Sequence, residues 1–205
     1  EAHNNLGVML SELGRLAEAE NCFTEAITLK PDFAEAHYNL GNTFKDVGRL
    51  EEAVAQHTKV IALRPDYAEA YSNLGSSQKG LGRLEEAKDS FTQAIALRPD
   101  YAQAHSNLGI TLQELGRLEE AEASHTRAIT LKPDYAQAHS NLGITLKEVG
   151  RLDEAEVSYI KAIQLNPDYA EAHSNLGITL QELGRLDEAE ASYIQAIALK
   201  PDYAE

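Results

Sequence analysis

The chain has 205 residues, with 18 Lys and Arg against 33 Asp and Glu, a formal charge of −15. That balance argues against a nucleic-acid backbone as partner, because phosphate binding draws its affinity from neutralisation by Lys and Arg. It argues equally against docking on anionic lipid. One cysteine, Cys22, excludes an intrachain disulfide, and no apolar run reaches the ~20 residues of a membrane span.

One sentence recurs along the chain, in its clearest form over residues 170–203. Pro31, Pro65, Pro99, Pro133, Pro167 and Pro201 stand 34 residues apart, as do Gly7, Gly41, Gly75, Gly109, Gly143 and Gly177. A fixed period of this size is the signature of a stacked-repeat architecture. The expected units are 1–33, 34–67, 68–101, 102–135, 136–169 and 170–203 in a single array, with 204–205 opening a further unit. The chain begins without methionine and closes on the first residues of another unit, so both ends read as cut from a longer array.

Within a unit two helices are expected. In the second, Asp32 and Glu35 form the pattern of a capping box, repeated as Asp66/Glu69, Asp100/Gln103, Asp134/Gln137 and Asp168/Glu171. Ala36, Leu40, Gly41, Phe44 and Val47 then fall on one helical face. Gly48 supplies the left-handed residue that ends a helix, and Arg49-Leu50 makes the turn. Glu51 and Glu52 favour the positive end of the second helix. Ala53, His57, Val60 and Ile61 continue its apolar stripe, and Pro65 stops it. Each unit is thus a hairpin of two helices of about 13 residues, and Gly41 against Ala53 lets their backbones approach closely.

A 34-residue helix-turn-helix with Leu-Gly in its first helix, Ala and an aromatic in its second, then Pro, resembles the tetratricopeptide (TPR) repeat, over the whole chain. Two departures are systematic. His3, His37, Tyr71, His105, His139 and His173 stand at the usual first-helix aromatic, and His57 and His125 replace the later aromatic that is Phe23, Phe91, Tyr159 or Tyr193 elsewhere. The resemblance implies an all-α, right-handed superhelical solenoid of six antiparallel helix pairs, with a concave groove lined by the first helices. The Asn-Leu-Gly wording is similar to the TPR region of O-linked N-acetylglucosamine transferase and of Spindly-like proteins, whose asparagines form a ladder in the groove.

The matching positions are Asn5, Asn39, Asn73, Asn107, Asn141 and Asn175. An amide has both a donor and an acceptor, so a row of them can clasp the main chain of an extended peptide irrespective of sequence; the competing reading is support of helix packing. Ser106, Ser140 and Ser174 precede three of these asparagines and would leave room for a ligand, while Ile110, Ile144 and Ile178 offer an apolar strip one turn on. The basic clamp with which some TPR domains hold acidic chaperone tails is missing: its Lys positions hold Ser or Glu. A neutral or basic extended segment is the expected partner.

Five histidines share one register a whole unit apart, too far to converge within ~2.1 Å of one metal atom, so no metal or cofactor is expected. Nor is an activity: phosphate loop, HExxH, CxxC and Gly-x-Ser-x-Gly are all missing. The leading expectation is a non-catalytic scaffold. Its alternatives are the substrate-recognition part of a larger glycosyltransferase-type enzyme, and a structural module that self-associates through its end repeats, where Tyr193, Ile194, Ile197 and Leu199 would be uncovered. The compartment stays open, with the cytoplasm favoured.

Overall fold

A computed structural model describes residues 1–200; residues 201–205, which include the end of the sixth expected unit and the start of a seventh, lie outside the described residues. Among the described residues there are twelve helices and no strand. They pair as α1 (Ala2–Glu12) with α2 (Leu16–Leu29), α3 (Ala34–Asp46) with α4 (Leu50–Leu63), α5 (Ala68–Gly80) with α6 (Leu84–Leu97), α7 (Ala102–Glu114) with α8 (Leu118–Leu131), α9 (Ala136–Glu148) with α10 (Leu152–Leu165), and α11 (Ala170–Glu182) with α12 (Leu186–Leu199). The contacts group into two compact units, Glu1–Pro99 and the chain from Asp100 onward. In each, three hairpins stack in series, the second helix of one packing on the first helix of the next, and the first helices also touch one another. This is an all-α solenoid. No described helix is long and apolar enough to cross a membrane.

Two backbone devices cut the chain into equal pieces. At the end of α3, Gly48 takes φ +78; its N–H donates to the Lys45 carbonyl at 3.1 Å and that of Arg49 to the Phe44 carbonyl at 2.8 Å. That is a Schellman closure, which satisfies carbonyls a helix end would otherwise orphan, and the glycine recurs with φ between +72 and +80 at all six turns. At the end of the second helix the residue before proline is forced out of helical geometry: Arg64 lies at φ −140, ψ 85.

The expected capping boxes do not form. The N-cap of α3 is Phe33, and those of the later first helices are tyrosines, none making a side-chain cap hydrogen bond. The aspartate lies one residue too early, and backbone groups close the turn instead, as where Ala102 N–H donates to the Asp100 carbonyl at 3.0 Å. The glutamate is committed elsewhere. Glu35 accepts from Arg64, Glu69 from Arg98 and Glu171 from Lys200, so each ties the start of a first helix to the end of its partner helix.

The core is a seam of small and large residues. Ala53 and its equivalents Ala19, Ala87, Ala121 and Ala155 are fully buried. Around them Leu10, Phe23, Leu40 and Phe44 fill unit 1, and Leu146, Tyr159, Leu176 and Leu180 fill unit 2. Each such large side chain contributes about 1.5–3 kcal/mol when fully buried. Gly109 shows why a glycine is needed in the first helix: a Cβ there would lie 2.5 Å from Cε1 of the His125 ring.

Candidate peptide-binding face

The candidate face lies on the first helices, because these neighbour one another within each unit and carry the asparagine row. Residues 39 and 73 in unit 1 occupy the same repeat register as 107, 141 and 175 in unit 2.

The amides differ in how far they are engaged. Asn39 Nδ2 donates to Asn4 Oδ1 at 3.0 Å, which links α3 to α1. Asn73 is committed at both ends: its Nδ2 donates to Tyr38 Oη at 3.0 Å and to Asn42 Oδ1 at 2.9 Å, and its Oδ1 accepts from Lys45 Nζ at 3.1 Å. Asn141 is buried and reaches Ser106 Oγ at 3.5 Å. Asn107 is half-buried and accepts from Gln103 Nε2 at 3.2 Å. Asn175 is half-buried and makes no side-chain hydrogen bond among the described residues. The row therefore divides into amides used as struts between neighbouring first helices and amides with capacity to spare.

The flanking positions divide as well. Ser106 and Ser140 are 1% exposed, so they are packing residues and open no room for a ligand; only Ser174 is half-exposed. Ile110, Ile144 and Ile178 are each half-buried, and Ile144 packs partly on the unit 2 core. One turn on, Glu114, Glu148 and Glu182 are exposed, and Gln113 Nε2 donates to Glu148 Oε1 at 2.7 Å. In unit 1 the face carries a shallow groove of about 160 Å³ between α1 and α3, lined by Val8, Glu12, Asn39, Asn42 and Asp46.

Of the residues expected to be left uncovered, Ile194 and Ile197 are 56% and 42% exposed. Tyr193 is not: its ring packs on Gly177 and the unit 2 core, and its hydroxyl donates to Gln181 Oε1 at 3.0 Å. It is the core aromatic of its hairpin.

The histidines resolve into two structural classes, and among the described residues no three potential ligands converge on a metal position. His37, His139 and His173 bond through Nε2 to the carbonyl of the proline six residues earlier, at 3.0 to 3.1 Å. As Nε2–H donors they brace the loop between hairpins, whereas His3 is exposed. His57 and His125 are fully buried in the seam. His57 Nε2 meets Asn42 Oδ1 at 3.2 Å, but His57 Nδ1 and both nitrogens of His125 have no partner. Burial, with the nearby Lys45 cation second, holds the His57 imidazole down to about 3; burial alone takes His125 to about 4.

Sequence reasoning missed one recurring set of pairs. Arg49 bridges Glu52 and Glu20, Arg151 bridges Glu154 and Glu122, and Arg185 bridges Glu188 and Glu156. Each of these three arginines, just before α4, α10 or α12, thus reaches the second helix of the preceding hairpin. A separation of 29 residues between opposite charges, repeated along the chain, is the signal that could have found them.

Family models described as tetratricopeptide repeat match residues 32–100 and 134–202, and 72–136, and one described as TPR repeat matches 7–48. No curated protein matches the sequence. Among solved structures, TTC0263, a thermophilic TPR protein in Thermus thermophilus, is 29% identical with TM-score 0.69, covering 88% of this chain and 98% of its own. YrrB, described as a TPR protein with an unusual peptide-binding site, is 28% identical with TM-score 0.68, over 88% of this chain and 93% of its own. PilW, a type IV pilus biogenesis factor, superposes over 100% of this chain and 94% of its own with TM-score 0.89 at 22% identity, a likeness of fold.

Proposed function

This chain belongs to the tetratricopeptide repeat family, whose arrays act in general as non-catalytic scaffolds for protein partners, and from that premise we propose that it holds an extended peptide segment along its first helices. The observation that carries this reading is the spare amide capacity at Asn107 and Asn175, beside half-exposed Ile110 and Ile178. Amides there offer a donor and an acceptor to a peptide bond, and the isoleucines offer apolar contact to alternate side chains. The exposed Glu114, Glu148 and Glu182 favour a neutral or basic segment. A peptide-binding relative of the same fold, YrrB, is consistent with it.

The test uses peptides selected on the immobilised chain from a random library, with affinities measured by fluorescence anisotropy. Asn107→Ala/Asn175→Ala should weaken binding about thirtyfold, at roughly 1 kcal/mol for the hydrogen bond lost at each amide, without lowering the melting temperature. Asn73→Ala should do the reverse, because its amide is spent on Tyr38, Asn42 and Lys45. Unchanged affinity in the double variant would refute a role for the ladder in binding.

A further inference from the structure

The first helices differ at one register in a way that leaves a gap between α1 and α3. The position that holds Lys45, Lys79, Gln113, Lys147 and Gln181 in five units holds Ser11 in α1. Two of the long side chains show how this place is used. Gln113 crosses from α7 to α9, where its Nε2 donates to Glu148 Oε1 at 2.7 Å and its Oε1 accepts from Thr145 Oγ1 at 3.4 Å. Lys45 crosses from α3 to α5 and donates to Asn73 Oδ1 at 3.1 Å. Each lays a long stem between neighbouring first helices and brings an N–H donor to an acceptor on the second of them. Ser11 is too short to do so, and its Oγ donates to the Gly7 carbonyl of its own helix at 3.0 Å.

The gap is the groove of about 160 Å³ between α1 and α3. It is smaller than the ~300–1,000 Å³ of a small-molecule pocket and suits a single side chain. Val8 and the Phe23 ring give it apolar walls, and Glu12 and Asp46 line it with carboxylates. Asp46 stands in the register of Glu148, the acceptor that Gln113 uses. Glu12 and Asp46 are both exposed, and neither makes an ion pair among the described residues. Lys45, beside Asp46 in sequence, is spent on Asn73. Asn39 also lines the groove. Its Nδ2 is given to Asn4, which leaves its Oδ1 as a third acceptor.

We propose that this groove is a subsite for one basic side chain, arginine or lysine, of the segment held along the first helices. The aliphatic stem of the guest lies over Val8 and Phe23, and its cationic head reaches Glu12, Asp46 and Asn39. The guest thereby fills the place that Gln113 fills between α7 and α9. Long basic side chains bind in this manner, with the stem on apolar surface and the head in charge-assisted hydrogen bonds. That the guest belongs to a peptide rests on the function proposed above. That the groove selects a cation does not, so the two are tested apart.

The whole chain is titrated with N-acetylarginine amide and followed by heteronuclear NMR, beside the library-selected peptides. Resonances of Ser11, Glu12, Asn39 and Asp46 should shift together with this probe and stay in place with N-acetylglutamine amide. Glu12→Gln/Asp46→Asn alters only exposed side chains, so helix content should be unchanged while the probe shifts vanish. The same variant should bind a peptide carrying a basic residue at least about tenfold more weakly. Exchanging that residue of the peptide for glutamine should cost as much and make the peptide indifferent to the two carboxylates. Ser11→Lys supplies the side chain that three other units already carry there, and it should close the subsite to the probe. Absence of shifts with the arginine probe, or shifts that survive Glu12→Gln/Asp46→Asn, would overturn the subsite whatever peptides bind. Carboxylate-dependent shifts in a chain that captures no peptide would support the subsite and count against the extended-segment reading alone.

Discussion

Replacing His57 and His125 with phenylalanine should both raise stability and remove a specific part of its pH dependence. Phe23 and Phe91 hold the equivalent place in other hairpins, each packed on the glycine of its first helix, so the larger ring has a native precedent. The two imidazoles are buried and held neutral, at about 3 for His57 and about 4 for His125, against ~6.5 in an unfolded chain. Because the folded values lie below the unfolded one, the unfolded state takes up protons first as pH falls. The stability of the neutral form is complete above ~6.5 and is lost progressively down to the folded values. At pH 5 each histidine costs about 2 kcal/mol, from ~1.5 pH units at ~1.36 kcal/mol per unit, or about 4 kcal/mol for both. Urea denaturation followed by circular dichroism at pH 7.5 and pH 5 measures this for the native chain and the double variant. Exposed carboxylates titrate alike in both, so the difference between the two pH losses isolates the histidines. At pH 7.5 the variant should already be the more stable, since it removes three buried nitrogens without partners. An equal pH loss in both proteins would refute the reasoning.

Gly109→Ala should destabilise by about 1–3 kcal/mol, because its Cβ meets a fully buried ring that cannot move aside; the cost should shrink in a His125→Ala background, a coupling that thermal melts of the four proteins would measure. Gly116→Ala meets open space but forces φ +74 on a residue with a side chain, so about 1–2 kcal/mol should be lost without any such coupling. Glu122→Gln removes one partner of Arg151 on exposed surface, so a loss below about 1 kcal/mol is expected, and it should vanish in high salt.

The period of 34, the glycine turns and the prolines determined the twelve helices and their pairing, because each is a backbone constraint acting over a few residues: Gly48 alone can take the positive φ that closes α3, and Pro65 alone bars Arg64 from the helix. The small-residue seam was legible for the same reason, since Gly109 and Ala121 recur at fixed offsets. What only the tertiary structure decided is how polar side chains were spent. Asp32 and Glu35 carry a capping-box pattern, yet Glu35 pairs with Arg64, which hairpin closure brings within 3.0 Å. Asn73 and Asn175 are identical in sequence context at Ser-Asn-Leu-Gly. One is consumed by Tyr38, Asn42 and Lys45 from the preceding hairpin, and the other keeps its amide, because a neighbour's side chains set that outcome. Ser106 and Ser140 were expected at a ligand and proved buried, for the same reason. A repeat writes its own fold locally, but its surface chemistry is settled only where two repeats meet.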